Sequence, residues 1–160
     1  MSADALLDDP WACGPFCWMI DDVRLFTTPL PCRGAQGLWR TQAEENAALR
    51  GLVPERGGVA WWPALTILQP FASAIAVGPK RVENRSWAIS MPLSGGRWIG
   101  LHAGKALAGT QDEVLEALDL WRDPLFDGRW TQAPEFAALP RGFLLGAIHL
   151  SEVRSYPATP

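Results

Sequence analysis

Residues 69–87 change character halfway, and this change constrains the fold more than any other stretch of the sequence. The first half is apolar: Pro70 suits the first turn of a helix, small and aliphatic residues follow, and Gly78-Pro79 ends the helix. The second half alternates as a strand does, with Val82 and Trp87 as its apolar members. It also carries four polar side chains within six positions, Lys80, Glu83, Asn84 and Arg85. This arrangement predicts a small polar pocket beside an apolar wall; the alternative is a solvated strand edge.

The composition fits a folded protein with one core. The chain has 160 residues, of which 48% are hydrophobic and 19% charged, so we expect a single globular domain over residues 1–160. No apolar run is long enough to cross a bilayer, and no basic segment followed by an apolar one begins the chain. We therefore expect a cytoplasmic protein that has no membrane partner.

The charge is unevenly distributed. The net charge is −3, which argues against extended, sequence-independent binding to a nucleic-acid backbone. Residues 80–105 nevertheless hold five basic side chains against one acidic residue, a net of +4, which leaves −7 for the rest of the chain. One basic patch on an acidic body favours a confined anionic or nucleotide ligand over a long duplex.

Three cysteines, Cys13, Cys17 and Cys32, raise the possibility of a zinc site. The second half of a paired-cysteine site is missing, and both histidines lie far along the chain. An odd number of cysteines fits reduced thiols better than a disulfide framework. The sequence predicts neither a metal site nor a cofactor.

The remaining pattern predicts a mixture of strands and helices. Residues 111–122 form an amphipathic helix with one apolar stripe, and Thr41 with Glu44 resembles a capping box that begins a short helix to Leu49. Gly57-Gly58 then releases the chain. Loops are expected at Pro29 to Pro31, at Pro92 to Gly96, and over residues 123–140 together with a short helix. Apolar runs predict strands at 16–24, 64–68, 97–103 and 143–150.

Several blocks of the sequence, in order and sensibly spaced, resemble the ASCH domain of the PUA-like superfamily. These blocks are Ala64–Ala72, Gly78–Trp87 and Ile99–Lys105, followed by the strand at Pro140–Gly146. The resemblance implies an α+β fold: a small mixed β-barrel with peripheral helices, associated with RNA.

The order of the blocks suggests a circular permutation. In many similar ASCH proteins a Gly-Pro-x-Cys-Trp strand and a Gly-x-Gln-Gly-Leu-Trp ending come last, whereas here they come first. Residues 1–10 are then a flexible lead-in, 11–40 the family's C-terminal block, 41–63 a connector, and 64–160 the N-terminal and central part. If so, residues 16–24 should pair with 142–150, and the chain is either a monomer or a strand-exchanged dimer.

Ligand-binding candidates follow from chemistry and from the similar blocks. Amides that present a donor beside an acceptor can read base edges, Arg and Lys can hold a phosphate, and an indole can stack on a base. Two glycines around a glutamine allow close backbone approach. The candidates are Gln69 and Asn84 (base edge), Arg85 and Lys105 (phosphate), Trp87 and Trp39 (base face), and Gln36 and His102. The partner is RNA or a modified nucleoside or nucleotide.

The resemblance also implies a hydrolase alternative. Some ASCH proteins are amidohydrolases on N4-acylated cytidine that use a lysine and a threonine three residues later, and others are metal-dependent ribonucleases. Lys80 matches the lysine, but Glu83 occupies the threonine's place, so the hydroxyl nucleophile is absent there. Lys80 and Glu83 are the catalytic candidates under this alternative. In a third interpretation, Glu83 and Arg85 form an internal ion pair that closes the barrel.

Overall fold

The computed structural model describes residues 3–56, 61–89 and 96–156. Its α-helices are α1 (Ala3–Leu7), α2 (Ala43–Leu52), α3 (Phe71–Ala76) and α4 (Gln111–Arg122). Its strands are β1 (Phe16–Pro31), β2 (Leu38–Arg40), β3 (Pro63–Gln69), β4 (Val82–Arg85), β5 (Arg97–Leu107) and β6 (Phe143–Ser155). Short 3-10 turns cover Pro54–Arg56 and Phe136–Ala138.

The strands form one mixed sheet in the order β2-β3-β5-β6-β1-β4. Only β3 and β5 pair in parallel; the other neighbours are antiparallel. The sheet curls into a half-barrel, so the α+β class expected from the sequence is confirmed. Its two edge strands, β4 and β2, come from segments on either side of α3.

The predicted pairing of residues 16–24 with 142–150 is confirmed. Ile20 lies opposite Leu150, and Arg24 lies opposite Ala147, in an antiparallel pair of β1 and β6. We expected the strand to end before Pro29, but β1 runs on to Pro31. The regular pairing is interrupted between Leu25 and Leu30, which is the kind of irregularity where a strand tolerates proline.

Two apolar layers hold the sheet in place. The inner face of the curl is filled by β-strand side chains around Trp18 and Ile148, both fully buried, together with Ile75 of α3. Helix α4, whose bounds match the prediction, packs its Val114–Leu118 stripe in a second cluster that contains Trp11, Trp121 and Trp130. Burial of these aromatic and aliphatic surfaces is the main stabilising term.

The segments around α2 and the N-terminus differ from expectation. The predicted capping box is wrong, because the N-cap of α2 is Gln42 and not Thr41, and Gln42 makes no side-chain cap. The Thr41 hydroxyl lies instead within hydrogen-bonding distance of the Trp62 carbonyl and of Asn46 Oδ1. In place of the lead-in at 1–10 there is α1, whose Leu6 is buried. Gly57-Gly58 and the loop residues from Pro92 to Gly95 lie outside the described residues. Across the described ranges, no helix has the length and apolarity that crossing a bilayer requires.

Candidate functional site

A cavity of about 870 Å³ opens at one end of the curled sheet. The loop after β1 forms one wall, β3 and β5 form the floor, and the end of β4 forms the opposite wall. This volume falls within the usual range for small-molecule sites. Its described lining is Cys32, Arg33, Gly34, Ala35, Gln36, Gly37, Thr66, Leu68, Arg85, Trp87, His102, Gly104, Lys105, Ala106 and Gly142.

Five of the ten residues predicted as site residues line this cavity. They supply an exposed amide, a partly buried guanidinium, an exposed indole, a buried imidazole and an exposed ammonium: Gln36, Arg85, Trp87, His102 and Lys105. Arg33 adds a third cationic side chain. None of the described lining residues is acidic, so the charges along the wall favour an anionic ligand.

Arg85 joins the two ends of the curled sheet. It lies at the end of the edge strand β4, yet its Nη2 donates to the Thr66 carbonyl of β3 at 3.0 Å. Its Nε lies 3.1 Å from Glu83 Oε1, at ion-pair distance but outside hydrogen-bonding geometry. Arg85 therefore links β4 to β3 on one side and presents cationic charge to the cavity on the other.

Lys80 and Glu83, the predicted catalytic pair, lie behind this wall. Lys80 precedes β4, and its Nζ lies 3.6 Å from Glu83 Oε2 and donates to the Val82 carbonyl. Lys80 is 2% exposed and Glu83 7% exposed, and neither belongs to the described lining. Burial lowers the pKa of Lys80, and the neighbouring Glu83 carboxylate opposes that change. The two side chains do lie close together, as a catalytic pair must, but they are buried in the protein interior and not in the cavity lining.

The two amides that were predicted to read a base edge, Gln69 and Asn84, form hydrogen bonds with backbone groups instead. Gln69 is fully buried, donates to the Pro140 carbonyl at 2.7 Å and accepts from the Ser73 N–H at 3.0 Å. The Asn84 Oδ1 accepts from the Cys13 and Gly14 N–H groups at 2.9 and 3.0 Å. Its Nδ2 donates to the Trp11 carbonyl at 2.8 Å. Both amides lie outside the described lining and fix loops to the sheet.

The two predicted aromatic faces have different surroundings. Trp87 lines the cavity, is 36% exposed, and contacts the buried Trp18 ring edge to face at a centroid distance of 4.9 Å. Trp39 is not part of the described lining; its ring lies perpendicular to that of His102 at 5.5 Å. Trp87 is therefore the indole available to a ligand.

His102 sits on the cavity floor within a short series of hydrogen bonds. Thr66 and His102 are direct neighbours in the parallel pair of β3 and β5, and Thr66 Oγ1 lies 3.1 Å from His102 Nδ1. His102 Nε2 lies 2.7 Å from the Cys32 carbonyl, and the Trp39 indole N–H donates to Thr66 Oγ1 at 2.9 Å. Burial lowers the pKa of His102, while the contact with the Cys32 carbonyl opposes that effect.

The one thiol of the described lining is held in its protonated form. Burial raises the pKa of Cys32 to about 12, and a hydrogen bond to the Glu45 carboxylate at 3.3 Å acts in the same direction. A thiol with such a pKa is a poor nucleophile at neutral pH. Nor do three His, Cys, Asp or Glu side chains converge on a metal position anywhere in the described ranges.

Among the charged and hydroxyl side chains of the described lining, sequence reasoning missed Arg33 and Thr66. A signal existed for Thr66, since it is a polar residue of β3 between the buried Leu65 and Ile67. For Arg33 the sequence offered one signal, its position next to Gly34. Together the lining can hold an anion, contact an aromatic ring, and offer one hydroxyl next to a neutral imidazole.

Comparison with known proteins does not assign this chain to a family. No family model, no curated protein and no solved structure matches the chain.

Proposed function

We propose that this chain is a binding module of the ASCH type that takes a single nucleobase of RNA, or a free nucleotide, into the cavity. The observation that carries the proposal is the composition of the described lining: it holds three cationic side chains and one exposed indole, and no acidic residue. Nucleotides combine an anionic phosphate with a flat aromatic base, and this wall offers a partner to each part.

The roles divide by chemistry. Arg33 and Lys105 are exposed residues of the lining that can bind a phosphate, Arg with a fork of donors and Lys as a point charge. Trp87 offers its ring for stacking, a contact that every base can make. Gln36, on the glycine-flanked loop, has a free-standing amide that can bond to a base edge.

The cavity favours a single nucleotide unit over a duplex. The protein as a whole carries a net charge of −3, so a long phosphate backbone would meet repulsion outside the basic patch. A volume of about 870 Å³ suits one base with its sugar and phosphate. A modified or splayed-out base of single-stranded RNA fits the same description.

The ASCH assignment, with circularly permuted strand order, belongs to the same proposal. It is supported by the motif blocks in the sequence and by the adjacency of β1 and β6, which lie at opposite ends of the chain. The Tyr156 N–H donates to the Pro15 carbonyl at 2.7 Å, so β6 leads directly back to the beginning of β1. A chain cut elsewhere could join these strands by a short turn.

The amidohydrolase alternative based on Lys80 and Glu83 finds less support. Both side chains are at least nine-tenths buried and lie outside the described lining. A substrate in the cavity would meet Arg85 before it met either of them. Their arrangement fits the third interpretation, an internal ion-pair network that holds the barrel closed.

Calorimetric titration with the four ribonucleoside 5′-monophosphates, each beside its unphosphorylated nucleoside, tests the proposal. We expect one site per chain, with the monophosphate bound roughly tenfold tighter than the nucleoside, equivalent to ~1.4 kcal/mol. Its affinity should fall as salt increases. Substituting Lys105→Gln or Arg33→Gln should remove most of the phosphate preference, because both side chains are exposed cations of the cavity lining.

Arg50→Gln is the matched control, since Arg50 is an exposed arginine on α2 outside the cavity. Trp87→Leu should weaken nucleotide and nucleoside equally. The proposal is contradicted if no nucleotide binds, or if the Lys105 and Arg33 variants bind the monophosphates as the Arg50 variant does.

A further inference from the structure

Thr66 and His102 form a hydrogen-bonded hydroxyl–imidazole pair on the cavity floor. The Cys32 carbonyl can only accept, so His102 Nε2, 2.7 Å away, carries the ring proton. Nδ1 of the neutral ring is then an acceptor, and the Thr66 hydroxyl donates to it across 3.1 Å. This is the relation between a nucleophile and its base, with the carbonyl as the group that orients the base.

A glycine packs closely against this pair. A Cβ on Gly34 would lie 2.5 Å from both His102 Nδ1 and Thr66 Oγ1, closer than real contacts permit. Gly34 has no left-handed φ that would demand glycine for the backbone. Any side chain at position 34 would therefore displace Thr66 or His102. Thr66, His102 and Gly34 all line the cavity.

A second donor reaches the same hydroxyl oxygen. The Trp39 indole N–H donates to Thr66 Oγ1 at 2.9 Å. Such a donor stabilises negative charge on that oxygen, whether it develops during attack or during departure. The competing nucleophile of the lining, the Cys32 thiol, hydrogen bonds to Glu45 and stays protonated.

We propose that Thr66 is the nucleophile and His102 the general base of an ester-hydrolysing activity in this cavity. Thr66 Oγ1 bonds to the carbonyl carbon of the ester while its proton passes to His102 Nδ1. The bond from that carbon to the alcohol oxygen then breaks, and the same proton leaves with the alcohol. In the second half, water gives a proton to His102 and bonds to the acyl carbon; the acid departs, and Thr66 recovers the proton.

The cationic wall indicates the substrate class. Arg33 and Lys105 favour an ester that carries a negative charge in its acyl or alcohol part. This inference does not depend on nucleotide binding, because the Thr66–His102 pair needs neither a base nor a phosphate. Failure of the calorimetric test and failure of the test below are therefore distinguishable.

The test uses 4-nitrophenyl acetate with the full chain. We expect nitrophenolate release above the buffer rate, and, after a quench, an acetyl group on the peptide that contains Thr66. Thr66→Val keeps the shape but removes the hydroxyl, so release should fall to the buffer rate. His102→Gln should reduce it by about a hundredfold or more, the usual effect of losing a general base. Thr27→Val, which removes an exposed hydroxyl of β1, should change nothing.

Two further measurements make the result decisive even if a variant fails to fold. Thr66→Ser should retain acylation at position 66, and Gly34→Ala should suppress it, because the added Cβ would displace Thr66 or His102. The proposal is overturned if wild type and Thr66→Val release nitrophenolate equally. It is equally overturned if the acetyl group is found on Lys105, the exposed one of the two lysines, and not on Thr66.

Discussion

At the scale of single residues, the buried charges of Lys80 and Glu83 and the partly buried charge of Arg85 form one alternating series. The Glu83 carboxylate lies between the Lys80 ammonium at 3.6 Å and the Arg85 guanidinium at 3.1 Å. A buried ammonium is strongly destabilising unless a carboxylate compensates it. Two cations and one carboxylate leave the series with a net positive charge, and Arg85 is the member that lines the cavity. The network thus links the closure of the barrel to the electrostatics of the cavity.

Replacing Glu83 by glutamine should destabilise the fold by about 3 kcal/mol, the range seen when one partner of a buried pair is removed. The ammonium of Lys80, 2% exposed, would lose its counter-charge. Urea unfolding of Glu83→Gln, Lys80→Met and the double variant measures the coupling. We expect the double variant to be more stable than Glu83→Gln alone; strictly additive losses would show that the two charges do not interact.

His102 should make stability depend on pH. Its pKa is lowered in the folded protein by burial, whereas the unfolded chain takes up a proton near pH 6.5. The unfolded state therefore gains protons first, so this contribution is complete above about pH 6.5 and is lost as the pH falls toward the lowered folded value. Denaturant unfolding at about pH 8 and about pH 5 should show a smaller decrease for His102→Gln than for wild type. An equal decrease would contradict the assignment.

At the scale of elements, the pair β1–β6 determines where the cavity loop lies. These strands cross closely at Gly146, where an added Cβ would lie 2.1 Å from the Arg24 carbonyl oxygen and 2.8 Å from the Leu25 Cα. Both atoms belong to the backbone of β1, so no side-chain rotation can relieve the contact. Beyond this crossing β1 continues to Pro31 and enters the Cys32–Gly37 loop of the cavity.

Gly146→Ala should therefore destabilise the protein by about 1–3 kcal/mol or more, as overpacking in a closed core does. Thermal and urea unfolding provide the measurement. Gly51→Ala is the matched control: the same change on α2 meets nothing within 4 Å and should raise stability by roughly 0.5–1 kcal/mol. Equal effects at the two positions would mean that the β1–β6 crossing is looser than described.

The elements themselves were largely readable from the sequence, and the site was only partly so. Periodicity placed α4 correctly, because its apolar stripe and capping residues are local signals. Alternation indicated that Glu83 and Arg85 share a face, but it could not tell the core side from the cavity side. Lys80 and Glu83 were therefore expected in the pocket, and they do not belong to its described lining. The Thr66–His102 pair depends on strand register across 36 residues, which no local pattern encodes.

At the scale of the whole molecule, one curled sheet brings together residues from distant parts of the chain. The cavity combines the loop after β1, the parallel strands β3 and β5, and the end of β4. Arg85 spans the gap between β4 and β3, and both Arg85 and its partner Thr66 line the cavity. Conditions that separate these strands should abolish ligand binding together with the native fold.

The central claim is that the cavity between Trp87 and the β3–β5 floor takes a nucleotide. Crystals of the protein soaked with each of the four ribonucleoside 5′-monophosphates test it most directly. We predict density for one nucleotide in this cavity, with its phosphate against Arg33 or Lys105 and its base against Trp87. Ordered nucleotide elsewhere on the surface, with the cavity holding only solvent at saturating concentration, would contradict the account.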